Sequence, residues 1–281
     1  MRRKIALITT SPSFVQPFLR DAALHAALGI DVALAIRVHP SMRPRDRVRD
    51  FTRTVAREAR LNATSFAAQL AHHLAFRPHA RSRTTPAVTQ AALATMRDGR
   101  AWLDVHSAND PRVPAALAGG AYALGVVVGA DILTRHTLES IALPLYNLHM
   151  SDPAFARGKL PVFWEVHAGR DALTLTLHQL TAALDAGAVI HQHRVPISWH
   201  PRLGTTLRRT RLRITEAIAP FLAQALPAVL DGTAQPRALA VGPLRTTPTL
   251  AQQRAAARIC RARAAAPGAA GAVTRSESRR P

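Results

Sequence analysis

Cysteine is almost absent. Cys260 stands alone among 281 residues, which excludes an intrachain disulfide and any zinc site made of four cysteines from one chain. Aromatic residues amount to only 5%, too few to interleave the basic residues as a base-stacking surface would. Acidic residues are also few: 17 Asp and Glu stand against 37 Lys and Arg, a formal net charge of +20. Long hydrophobic runs are missing. The run "YALGVVVGA", 122–130, is far too short to span a bilayer. The opening "MRRKIALITTSPSF" has a basic head, but its apolar run is too short for a signal peptide and reads as a first strand. These absences predict a soluble cytoplasmic protein without a membrane partner.

What is present supports a real core. Apolar residues make up 48% of the chain and charged residues 19%, the balance of a layered α/β domain rather than a disordered chain. The length suits one large domain with or without an attachment. Most of the positive charge is Arg scattered through Ala-rich sequence. That pattern attracts acidic metabolites and makes nucleic acid the weaker choice of partner, open mainly through the basic stretch 41–98.

Strand and helix patterns alternate at the start. "KIALITT", 4–10, reads as a buried strand, 14–28 as an Ala/Leu-rich helix and "DVALAIRV", 31–38, as a second strand. This order predicts a parallel sheet with crossover helices. Between 41 and 98 no strand pattern appears. Apolar residues recur there at helical spacing in "DFTRTVAREARL" and "SFAAQLAHHLAF". "TPAVTQAALATMRDG" follows, with Pro86 near its start and Gly99 just past its end. We read 41–98 as a basic helical insertion, lid-like in character.

The strands resume with "AWLDVH". A short helix follows, with Asn109 or Asp110 as its cap, then "YALGVVVGA" and "ESIALPLYNLHM". "PVFWEVHAG" is a helix with Pro161 in its first turn. "ALTLTLHQL" alternates strictly, as a strand with one polar face does. "AVIHQHRVPI" is another strand and 205–230 a long amphipathic helix. The catalytic-type domain covers 1–235, a C-terminal extension covers 236–261, and 262–281 is an Ala/Arg-rich tail expected to be disordered.

Chemistry-bearing residues gather in three places. In "YNLHM", 146–150, Asn147 and His149 share one face of a strand end. The loop "SDPAFARGKLP" carries Arg157-Gly158 as a tight turn. In "LTLTLHQLTAALDAGAVIHQ", Asp185 and Gly187 occupy a turn between two strands. Ligands of open α/β sheets collect beyond the carboxyl ends of strands, where Asn, His and Asp together can stabilise an oxyanion and move a proton. Taken alone, Asn-x-His reads as a turn cap beside a structural histidine, and Asp185 as a turn former. His178, His191 and His193 offer no convincing third ligand, so no metal is expected.

The pieces "LGVVVGADIL", "NLH", "RGKLPVFWEVHAG", "LTLH" and "LDAGAVIHQ", in this order and spacing, resemble the catalytic domain of the folate-dependent formyltransferases. That family includes glycinamide ribonucleotide, methionyl-tRNA and sugar N-formyltransferases. The resemblance implies a Rossmann-like three-layer domain with a mostly parallel sheet. It also implies N10-formyltetrahydrofolate as donor and an amine as acceptor. On this resemblance Asn147, His149 and Asp185 match the catalytic Asn, His and Asp. Gly129, Leu184 and Gly187 fall where the donor's pteridine would lie against backbone. Arg157, Trp164 and His178 are candidates for acceptor contact or for support behind the site.

The chain departs from the pattern at Met150, where a proline is usual, and at Thr174, where a glycine is usual. The loop "TTSPSF", 9–14, lacks the glycines of a phosphate-cradling nest, which argues against purine biosynthesis. After His200 no C-terminal barrel of the methionyl-tRNA type is expected. The resulting reading is formyl transfer to a small amine, such as a sugar nucleotide or specialised metabolite. A non-catalytic folate-binding relative and a barrel-less methionyl-tRNA enzyme are the alternatives.

Overall fold

The computed structural model describes residues 2–10, 12–38, 90–130, 132–158, 160–238, 240–245 and 248–266, with scattered positions between 48 and 74. Strands β1 (Arg3–Thr9), β2 (Ile30–Val38), β3 (Ala101–Val105), β4 (Tyr122–Val128), β5 (Leu145–His149), β7 (Ala172–Gln179) and β8 (Val189–Pro196) form one sheet. Its order is β3-β2-β1-β4-β5-β7-β8. The β2–β3, β1–β2, β1–β4 and β4–β5 pairs are parallel, and β7 runs against both β5 and β8. The expected α/β, Rossmann-like, mostly parallel sheet is therefore what the chain forms.

Residues of β1 go alternately to the two sides of the sheet, as the period of a strand requires. Ile5 and Leu7 join one buried cluster with Val15, Phe18, Phe163 and Phe221, whereas Ala6 and Ile8 join another with Val113 and Leu117. The first cluster is roofed by α1 (Pro12–Arg20), α6 (Phe163–His167), α7 (Leu203–Leu230) and α8 (Leu250–Ala265). The second is roofed by α4 (Arg112–Ala118), with α5 (Arg135–Glu139) beside it. Two helical layers with a sheet between them make the three-layer arrangement, because a sheet apolar on both faces needs cover on both.

Several local expectations are corrected. The stretch 14–28 is two helices, α1 and α2 (Ala22–Ala27). Asp21 breaks the run by accepting the Leu24 amide at 2.8 Å as the cap of the second helix. Asn109 caps nothing; it receives the Thr134 amide at 2.7 Å and donates to the Ile132 carbonyl at 2.9 Å, joining two loops. Asp110 does accept the Arg112 amide, at 3.0 Å. Pro161 precedes α6, which begins at Phe163. On the polar face of β7, Thr176 and His178 are buried.

The tail begins later than 262. Helix α8 continues to Ala265, begun by a reciprocal cap between Thr249 and Gln252. Arg263 anchors its end on the Gly169 carbonyl at 2.8 Å and on Asp171. The insertion reading for 41–98 falls largely outside the described residues, as does Pro86. Its last part is helix α3 (Gln90–Arg97), with Gly99 just past its end at φ 69°. Arg100 fastens that end by donating to the Leu19 carbonyl at 3.0 Å, the Val32 carbonyl at 3.2 Å and the Met96 carbonyl. No described helix is long and apolar enough to cross a membrane.

Candidate active site

Strand pairing places the first residues of the site. On β5, Val127 of β4 lies beside Asn147 on one edge and His178 of β7 lies opposite it on the other. Opposed residues of an antiparallel pair project to the same face, so carboxamide and imidazole meet: Asn147 Nδ2 lies 3.1 Å from His178 Nε2. His178 Nδ1 lies 2.9 Å from the Gln179 carbonyl and can only donate to it. The ring's other nitrogen is then the acceptor for the amide hydrogen. Burial, the largest influence, lowers the proton affinity of His178, while the Gln179 carbonyl and Asp185 pull the other way. The neutral ring suits the acceptor role.

Asp185 enters from the β7–β8 turn. Its φ of 47° is left-handed, a conformation Asp tolerates better than most residues. The carboxylate is buried and held from two directions. Asn147 Nδ2 donates to Oδ1 at 3.4 Å and the Gly158 amide donates to Oδ2 at 3.4 Å. His149 Nδ1 stands 3.9 Å from the same Oδ1, and its Nε2 is 3.4 Å from the Ala156 carbonyl. The structure thus brings Asn147, His149, His178 and Asp185 into one cluster.

The cluster borders an open cleft. Asn147, His178 and Asp185 form its polar end, and Val127, Ile132 and Leu133 are among its apolar walls. The backbone of the 180–185 turn closes one side. The cleft lies beyond the carboxyl ends of β4 and β5, close to where the strand order reverses at β1, the place where open α/β sheets bind ligands.

Comparison with known proteins agrees with this geometry. A methionyl-tRNA formyltransferase of Bifidobacterium animalis subsp. lactis is 32% identical over 130 residues, 46% of this chain and 39% of that one. One of Herpetosiphon aurantiacus is 32% identical over 144 residues, 51% of this chain and 46% of that one. The match spans less than half the length of these curated relatives. Among solved structures, a sugar N-formyltransferase from a Shewanella species aligns over 92% of this chain and 87% of its own, with a TM-score of 0.52 and 12% identity. Glycinamide ribonucleotide transformylase 1 of Symbiobacterium toebii aligns over 85% and 94%, with a TM-score of 0.51 and 19% identity. Over about half of its length the chain is similar in sequence to methionyl-tRNA formyltransferases, and it shares the fold of solved formyltransferases. No protein-family model matches it.

The other candidate residues have distinct placements. Gly129 ends β4 at φ 62°, and its carbonyl accepts the Thr10 hydroxyl. Leu184 lines the cleft and its carbonyl accepts from Arg157 Nη1 at 3.0 Å. Gly187 faces the Gln179 backbone so closely that any Cβ would collide with the Gln179 carbonyl. Arg157 braces its loop, because Nε also donates to the Gly242 carbonyl at 2.8 Å. Trp164 is 4% exposed and belongs to the core, edge-on to Phe163 with the Arg245 guanidinium over its ring. An acceptor-wall role for Trp164 does not fit that burial. Among the described residues no group of three His, Cys, Asp or Glu is disposed to hold a metal ion.

Two features were not anticipated. Glu165 is buried and its carboxyl accepts from Ser151 Oγ and, at 2.8 Å, from the Val162 amide. Burial raises its proton affinity, and the two hydrogen bonds oppose that rise. The other is the approach of residues 240–245 to the site. It has no local sequence signal, because its contacts are distant along the chain.

Proposed function

We propose that the chain transfers a formyl group from N10-formyltetrahydrofolate to the amine of a small acceptor. The observation that carries this reading is the cluster of Asn147, His149 and Asp185, of which Asn147 and Asp185 border the cleft. Asp185 Oδ1 is 3.4 Å from the Asn147 amide nitrogen and 3.9 Å from His149 Nδ1. The residues suit the charges that must be met. Attack by an amine on the formyl carbon puts negative charge on the formyl oxygen and positive charge on the amine nitrogen.

Asn147 supplies a hydrogen to the oxygen. Its bond to His178 is the shorter of its two, so the longer one, to Asp185, is the one exchanged for the oxyanion. His149 assists there and carries protons. Asp185 holds the imidazole's charge and positions a water that receives the amine proton. The new C–N bond forms on the acceptor, the bond to donor N10 breaks, and the proton ends on N10. No protein nucleophile takes part.

A sugar nucleotide or another small amine is the acceptor we favour, since the fold is shared with a sugar N-formyltransferase over nearly the whole chain. Methionyl-tRNA is the second reading, favoured by the names of the curated relatives and by the net charge of +20. One experiment separates them: isotope-labelled formyl donor is offered with amino-sugar nucleotides, with other small amines and with charged methionyl-tRNA. Transfer to a small amine by the wild type, reduced about 10²–10³-fold in Asn147→Ala, is the expected result. Transfer only to tRNA would replace the favoured acceptor. Donor binding without transfer to any amine would leave a folate-binding relative.

A further inference from the structure

The active-site carboxylate is held by residues that are themselves held from far along the chain. Strand β6 (Arg157–Gly158) pairs in parallel with β9 (Leu244–Arg245), Arg157 opposite Leu244 and Gly158 opposite Arg245. The Arg157 amide donates to the Pro243 carbonyl at 3.1 Å, and the Gly242 amide donates to the Pro153 carbonyl at 3.0 Å. The Arg157 guanidinium spans two segments, reaching Gly242 and Leu184, the latter adjacent to Asp185. Gly158 then offers its amide to Asp185 Oδ2. At the far end, Arg245 lies over the buried Trp164 ring at 4.9 Å. Upstream, Arg237 and Val189 exchange backbone hydrogen bonds at 2.8 and 2.9 Å.

We infer that Gly242–Arg245 is a strap that positions Asp185 for catalysis through Arg157 and Gly158. The inference rests on the proposed formyl transfer. Two glycines record how tightly the strap lies. A Cβ at Gly158 would approach the Arg245 carbonyl and Leu244 Cδ1 to 2.8 Å, and one at Gly242 would collide with the Ala154 carbonyl. Asp185 needs such support, because its backbone is left-handed and its turn sits at the rim of an open cleft. The strap residues touch no reacting atom; they are positioning residues. An error of an ångström in such a group costs rate more than it costs substrate affinity.

The test uses full-length Gly242→Val, which pushes the strap from 153–154, and Arg157→Lys, whose ammonium is not a fork able to span both carbonyls. Each variant should lower kcat about 10–10²-fold, with donor KM within about twofold; the thermal midpoint should hold in Arg157→Lys and fall by several degrees in Gly242→Val. In an Asp185→Asn background Gly242→Val should add nothing further, since both act through one carboxylate. Hydrogen exchange of the 181–187 turn should rise in both variants, with β7 and β8 unchanged. Unchanged kcat in both, or losses that multiply with Asp185→Asn, would overturn the strap's role. If the wild type transfers formyl to no acceptor, the formyl-transfer reading fails. The exchange measurement still decides the strap, and unaltered exchange of the turn refutes it.

Discussion

Asn147 and His178 are a cross-strand pair whose side chains hydrogen-bond at 3.1 Å. Burial favours the neutral imidazole, and with its Nδ1–H given to the Gln179 carbonyl, Nε2 is left as the acceptor. That fixes which end of the Asn147 carboxamide is the donor. In the proposed reaction His178 works through Asn147. Replacing it with Phe keeps a buried ring but leaves the amide free to turn. Formyl transfer in His178→Phe should fall about tenfold, the rate equivalent of one hydrogen bond worth about 1–1.5 kcal/mol. Single-turnover rates would show it, and an unimpaired variant would remove His178 from the site.

Gly187 is needed for space. Its backbone runs against Gln179, whose carbonyl orients the His178 ring. Gly187→Ala should destabilise the fold by about 1–3 kcal/mol, the usual cost of overpacking. The thermal midpoint would drop by several degrees, and donor affinity measured by titration would weaken with it.

His25 predicts an acid-side loss of stability away from the site. The ring is buried edge-on to Phe18, and Nε2 has no hydrogen-bond partner among the described residues. Burial, then the nearby Arg100 guanidinium, lowers its proton affinity, with the Phe18 carbonyl, Asp21 and Asp31 acting the other way. Above the ordinary value of 6.5 the ring is neutral whether the chain is folded or not. As pH falls below it, the unfolded chain takes up a proton that the folded chain resists, so stability declines until the folded ring also protonates. Urea midpoints between pH 7.5 and about 5 should fall in the wild type. The decline should be shallower in His25→Gln.

Glu165 is a structural acceptor for two buried donors. In Glu165→Leu the Ser151 hydroxyl and the Val162 amide lose their acceptor, at about 1–3 kcal/mol for each unsatisfied group. Glu165→Gln retains one acceptor oxygen and should cost less. Chemical denaturation of the two variants gives the ordering, and equal stabilities would contradict it.

The sequence made the fold's frame legible where apolar runs are uninterrupted, as in β1, β2 and β4. It also showed Asn147 and His149 as a pair, because a strand's period of two is visible in four letters. Asp185 was readable as a turn residue, and its partnership came from the family resemblance. Other features depend on register and on distant pairing, which no local pattern carries. His178 faces Asn147 only once β7 is known to run antiparallel. Arg157 stood as a candidate for acceptor contact or for support, and its guanidinium lies on two backbone carbonyls. Trp164 stood as a candidate for acceptor contact or for support, and its burial puts it in the core. The 236–261 extension had no function legible in its letters, since its segments pair with residues distant in sequence, among them 153, 157 and 189. Asp21 hid a helix break because a single cap inside an apolar run changes no periodicity.

The left-handed backbone at Asp185 limits which acids this position accepts. Proton handling alone would allow glutamate, which reaches further and has nearly the same acidity. At φ 47° the short Asp side chain is tolerated far better than a longer one, and Asn equally so. The carboxylate can therefore be discharged without disturbing the chain, but not lengthened without disturbing it. Drift in sequence at this position has a ready route to a silent binder through asparagine, and none to an alternative acid.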